Sequence, residues 1–345
     1  MKITNLKEGG IMQKKFLLML MMMVFVSKKV LEGLKIAVSE AELDQFYAYQ
    51  WMDGGYHLGL NEQFKKQLNQ KECGPYKVGT ALWQTGSPLP NPAPNGMYQG
   101  KPVISMRSMF ANNREVMMLN LREFDTRHVT DMSDMFRGCK ELKRLDLKRF
   151  DTRYVQDMSG MFRGCKQITK LNLSHFKTSQ ITDMMCMFAG CSKLTKLDLS
   201  HFDTSKVTDM VCMFAGCSKL TKLDLSHFDT NKVTNMSNMF TYDYGLTHLD
   251  LSHFETSQVT DMSDMFSGCS RLTDLDLSHF DISKVSDMRE MFKGCEALTN
   301  LVFKKDLAKH QYKLMEEALV VKGYNRKANK KQEKRKRLFK YVDQR

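Results

Sequence analysis

Apolar side chains recur along this chain with a fixed step of 26 residues, marked by Phe124, Phe150, Phe176, Phe202, Phe228, Phe254 and Phe280. One copy of the unit runs from Lys193 to Cys217, KLTKLDLSHFDTSKVTDMVCMFAGC. In its first part Leu194, Leu197 and Leu199 stand among polar residues, with the alternation of a short strand that buries one face. In its second part Val207, Met210, Met213, Phe214 and Cys217 are three to four residues apart, which predicts a helical turn. Thr208 and Asp209 suit the start of that turn, and Gly216 suits a left-handed residue at its end. Phe202 marks the corner between the two parts. A lone unit cannot bury these side chains, but stacked copies can, with strands pairing in parallel about 4.8 Å apart. The period therefore predicts an α/β repeat solenoid: a curved ladder with a parallel sheet on one face and short helical turns on the other.

The array spans residues 103–303, as one partial unit and seven full ones. Its first stretch, VISMRSMFANNREVMMLNLREF, carries Asn112-Asn113 where later units carry Gly-Cys. Its last, LTNLVFKKD, loses the Ser-His-Phe signature. Both departures suit the ends of a stack, where one face has no neighbouring unit. Units Lys177–Phe202 and Asp203–Phe228 differ at only four positions, a sign of internal duplication.

The flanks read differently. Residues 1–11 precede Met12, and Glu8-Gly9-Gly10 can be encoded by a purine-rich ribosome-binding sequence, so translation is expected to start at Met12. Residues 12–29 place two lysines before the apolar run Phe16–Val26, the layout of a secretory signal and too short to span a bilayer as a helix. Phe25 and Lys28-Lys29 make a poor cleavage site, which leaves both a cleaved and a retained signal open. Residues 30–72 show helical spacing, broken by Asp53-Gly54-Gly55. Residues 73–102 hold all six prolines and read as a linker or a lid over the first unit. Residues 304–322 predict a helix that caps the open end of the core, with Leu307, Leu314, Met315 and Leu319 on one side. Residues 323–345 form a basic tail, either unstructured or a charged helix.

Charge sharpens this division. The net charge is +13, and the segment Lys322–Arg345 alone carries eleven Lys/Arg against two acids. The basic character thus belongs mostly to the tail, where Lys334, Arg335, Lys336 and Arg337 are candidates for a polyanion. Six of the nine cysteines fall in one repeat column, Cys139, Cys165, Cys191, Cys217, Cys269 and Cys295, and read as small buried thiols rather than as a disulfide framework or a zinc site. Cys186 and Cys212 lie off that column in adjacent units and are expected to face outward, either as free thiols or as a disulfide.

Stacking turns the polar strand positions into stripes. Lys170, Lys196 and Lys222 form one; Asp198, Asp224 and Asp250 form its neighbour; Thr195 and Thr221 belong to a third. They read either as a solvated face, with lysines screening the aspartates, or as a ligand surface. His175, His201, His227, His253 and His279 form a further column with no second metal-ligand type beside it, so a solvated flank is expected. After Phe240 one unit reads TYDYG instead of AGCSK or SGCSR. Tyr242, Asp243 and Tyr244 are there either a contact hot spot or tolerated drift.

FDTSKVTDM, MF-x-GC and L-T-x-LDLS, repeated at 26 residues, resemble the leucine-rich repeats of the BspA-like surface proteins of bacteria. The resemblance covers roughly residues 103–303. It implies a surface or secreted location and a protein-binding or adhesive role toward host or bacterial surface proteins. It implies no enzymatic activity, no cofactor and no small-molecule substrate. A polyanion- or envelope-binding role through the tail is the alternative.

Overall fold

A computed structural model describes residues 101–304 apart from 123, together with 46–50, 56–60, 96–98, 308–318 and 339–342. Consecutive units pair in parallel through the whole array. Bridges link Ser105 to Asp131, and then each position to the one 26 residues on, through Asp157, Asp183, Asp209, Asn235 and Asp261 to Asp287. The described chain thus consists of tandem repeats with sparse strands in small parallel sheets and almost no helix.

The second part of the unit is not helical. In the unit of Asp209, the amides of Met213, Ala215 and Cys217 bond the carbonyls three residues back, of Met210, Cys212 and Phe214. The alternate amides, of Met210, Cys212, Phe214 and Gly216, donate instead to Asn235, Ser237, Met239 and Thr241 of the next unit. Every main-chain donor of the stretch is thereby used, half within the unit and half between units. Positive φ at Cys212 (55°) and Gly216 (73°) places a left-handed residue third in each of two successive four-residue turns. Those turns space the apolar residues four apart and so imitate helical periodicity. The left-handed conformation expected at Gly216 is present, as the third residue of a turn rather than the end of a helix. Asp209 does cap its segment: Oδ1 accepts the Val211 amide at 2.9 Å.

Three interior columns run along the stack. Phe110, Phe136, Phe162, Phe188, Phe214, Phe240, Phe266 and Phe292 stack with ring centroids 5.5–5.8 Å apart and nearly parallel planes. Buried threonines bridge units at the corner: Thr204 Oγ1 donates to the Asp229 carbonyl at 2.8 Å and accepts the Asp229 amide at 2.9 Å. Thr126, Thr152, Thr178 and Thr230 make the same pair of bonds to the unit that follows each. The last unit carries buried Ile282 at this position. The third column is the six cysteines, each donating Sγ–H to the carbonyl of a phenylalanine 29 residues earlier at 3.0–3.3 Å. Burial pushes all six thiols up, so they stay protonated at neutral pH.

The strand part of the unit alternates as expected, with Leu197 and Leu199 buried and Asp198 and Ser200 exposed. Extended strands form only near the two ends. β5 (Met118–Asn120) pairs in parallel with β6 (Arg144–Asp146), and β7 (Asp274–Leu277) with β8 (Asn300–Lys304). Between them single bridges remain, such as Lys170 to Lys196.

The flanks correct the expectations more strongly. Within 30–72, the described residues are two antiparallel strands, β1 (Phe46–Gln50) and β2 (Tyr56–Leu60), where the spacing predicts helix. The aromatic-rich FYAYQ before Asp53-Gly54-Gly55, a strand-favouring composition, suits pairing of extended segments over a helix. β2 runs parallel to β4 (Lys101–Ser105), which pairs antiparallel with β3 (Met97–Tyr98). At the other end α1 (Lys309–Ala318) lies within the expected capping segment and buries Met315 and Ala318 in the core. In the tail, β9 (Phe339–Val342) pairs in parallel with β8 and extends that sheet, so these residues are neither helical nor unstructured. Residues 1–29 lie outside the described residues.

Candidate functional site

The strand face gathers the polar stripes. Lys170, Lys196, Lys222, Asp198, Asp224, Asp250, Thr195 and Thr221 are all exposed, each projecting between buried leucines. The carboxylates turn to the serine two residues on. Asp198 Oδ1 accepts the Ser200 hydroxyl at 2.7 Å and its amide at 3.0 Å. Asp224 and Asp250 accept the amides of Ser226 and Ser252 at 3.0 and 2.9 Å. These bonds hold all three carboxyls below the usual carboxylate range. The serines, rather than the lysines, are therefore the first partners of the acidic stripe. Thr195 Oγ1 donates to the Thr169 carbonyl at 3.2 Å, which fixes its side chain along the stack.

At the N-terminal side of this face lies a shallow pocket lined by Leu145, Asp146, Leu147, Lys148, Asn172, Ser174 and His175. His175 Nε2–H donates to the Leu147 carbonyl at 2.7 Å, which ties two of its lining residues together across the units. Sequence reasoning missed this pocket because it forms between two units. Its one signal was Lys148-Arg149, in place of the Ser-His that follows Leu-Asp-Leu in the units from Leu197 to Phe280.

The irregular unit splits in two. Tyr242 and Tyr244 project outward, 54% and 47% exposed, with ring centroids 6.0 Å apart. Asp243 does not join them. It occupies the cysteine column and is fully buried, which removes it from the contact candidates. Neither of its carboxylate oxygens has a hydrogen-bond partner, and burial pushes the acid well up, toward its neutral form. Tyr242 takes the left-handed position that glycine holds in the units on either side, with φ 59°. The pair nearest in kind, Cys186 and Cys212, is also less exposed than predicted: Cys186 is buried and Cys212 half-buried. Lys334, Arg335, Lys336 and Arg337 lie outside the described residues.

No characterised protein and no solved structure matches the chain significantly. A protein family described as "Mycoplasma protein of unknown function, DUF285" matches residues 104–223 and again 213–324. The chain belongs to that family. Its two tandem matches together cover the stacked units and the segment of α1, and end at residue 324, before most of the basic tail. Among the described residues no helix is long and apolar enough to cross a membrane. Chemically, the strand face offers cations, anions and hydroxyls at a constant spacing along one direction.

Proposed function

We propose that this protein is a non-enzymatic surface or secreted binding protein. Its array would then be a leucine-rich-repeat-like solenoid of the BspA-like kind, with the exposed strand face taking host or bacterial surface proteins. One observation carries this reading: from Lys170 to Asp250, a lysine or histidine and an aspartate or asparagine leave the fold at the same two places in each unit while the leucines between them are buried. Such a face varies at little cost to the core, which is how extended repeat surfaces acquire partners. The signal-like residues 12–29 support export.

The test uses the full chain on beads, offered surface-labelled proteins from intact host cells and from bacteria. Wild type is expected to retain discrete proteins, and Lys196→Glu/Lys222→Glu to retain about tenfold less with unchanged thermal unfolding. Equal retention by both, or none by either, overturns the reading. Resistance of the protein to external protease on intact cells would overturn its location.

A further inference from the structure

Eight residues, Ser108, Asp134, Gly160, Cys186, Cys212, Asn238, Asp264 and Glu290, stand at one position of successive units, all with positive φ. Two neighbours in this column are cysteines. Their backbones are tied at one unit's separation, since the Cys186 amide donates to the Val211 carbonyl at 2.8 Å and the Cys212 amide to the Ser237 carbonyl at 3.0 Å. Parallel chains about 4.8 Å apart fall inside the Cα separation of about 4.4–6.8 Å that a disulfide spans.

The contrast with the interior cysteines is the telling point. Each of those six is held by a phenylalanine carbonyl. Cys186 and Cys212 instead have each other one unit away, and each thiol is the largest influence on the other's acidity. Cys212 is half-buried and Cys186 keeps 8% of its surface open to solvent, whereas Cys139, Cys165, Cys191, Cys217 and Cys269 have none. The Cys212 thiol holds Cys186 down to about 7 against the opposing effect of burial, with the Arg163 guanidinium assisting and Asp209 and Asp134 opposing more weakly. The Cys186 thiol, and after it burial, push Cys212 up, so the pair loses its first proton near neutrality and keeps its second.

We propose that Cys186 and Cys212 form a redox-active dithiol that reacts with low-molecular-weight disulfides and closes to a covalent staple between consecutive units. The Cys186 thiolate attacks one sulfur of RS–SR, forming a Cys186–S–S–R bond as the RS–SR bond breaks; the released RS⁻ takes a proton. Cys212, losing its proton to solvent, attacks the Cys186 sulfur, and the second RS⁻ leaves and is protonated. The sum is two protein thiols and RSSR giving one protein disulfide and two RSH, with the small disulfide as the oxidant.

The experiment uses the full reduced chain carrying Cys73→Ser, which removes the one cysteine outside the described residues. Oxidised glutathione is added at neutral pH, and intact mass and peptide mapping are followed in time. The expected product has lost two hydrogens, carries no glutathione and holds a Cys186–Cys212 cross-link. Cys212→Ser is expected to trap a stable glutathione adduct on Cys186, and Cys186→Ser to react about tenfold more slowly than Cys212→Ser. Serine already occupies this column at Ser108 with the same φ sign, so neither variant perturbs the turn. A wild-type chain that keeps a stable adduct on either cysteine, or in which neither reacts, overturns the dithiol. A Cys212→Ser chain no faster than Cys186→Ser overturns the assignment of the nucleophile.

Discussion

The two faces of each unit are built on opposite terms. On the turn face, alternate amides from Met210 to Gly216 reach into the next unit, and phenylalanine, threonine and cysteine columns run beneath. On the strand face, the central units share scattered bridges and single bonds such as Thr195 to Thr169, and the acidic stripe bonds within its own unit. Cohesion between units therefore resides in the turns and corners, and the strand face is left to vary. Substitutions on the two faces should differ accordingly, which gives a direct way to break or sharpen the contrast.

The largest effect belongs to the phenylalanine stack. Phe214 is fully buried between the rings of Phe188 and Phe240. Phe214→Ala should cost about 3–5 kcal/mol, from lost burial plus the cavity left between rigid neighbours. Chemical denaturation measures it. A cost as small as that of Lys196→Glu would mean that the stack does not hold the units together.

The corner comes next. Thr204→Val keeps shape but leaves the amide and carbonyl of Asp229 without the hydroxyl that serves both. The expected loss is about 2 kcal/mol. Ile282 provides the control. It holds the threonines' position in the last unit with an apolar side chain, so Ile282→Val should cost only about 0.5–1.5 kcal/mol, the price of one methylene. Equal losses at the two sites would show that the threonines act by packing alone.

Much of this architecture was legible in the sequence. The period, the buried positions and the exposed stripes all follow from a spacing repeated often enough to exclude chance. The turn face was misread for a physical reason: two four-residue turns space Met210, Met213, Phe214 and Cys217 as a helix would. The discriminating signal was the residue types at the two left-handed positions, where Gly160 and Asn238 in one column and Gly216 in the other tolerate positive φ. At the candidate site, the outward direction of Lys196 and Asp198 followed from alternation. The fate of Asp243 did not, because reading Tyr-Asp-Tyr as one polar cluster ignored that its middle residue stands in the cysteine column. The pocket beside His175 arises between units, and no single unit encodes it.

Asp243 also offers the subtlest test of what the interior columns require. Its neighbours in the column, Cys217 and Cys269, are thiols that burial and the nearby carboxyl push well up, so they remain neutral beside it. Asp243→Cys restores a side chain able to donate to a phenylalanine carbonyl and should stabilise the chain by about 1–2 kcal/mol at neutral pH. The gain should depend on pH in one direction. The folded chain holds on to a proton that the unfolded chain releases at about 3.9, so folding binds protons and wild-type stability falls as pH rises from there toward the raised folded value. Above that value the penalty is complete and constant; below about pH 4 both states are protonated and the penalty vanishes. Thermal unfolding of wild type and Asp243→Cys across this range should therefore show curves that converge in acid and separate toward neutrality. A separation that stays the same at every pH would mean that the variant gains from packing, and that the acid is neutralised in the fold by a partner of its own.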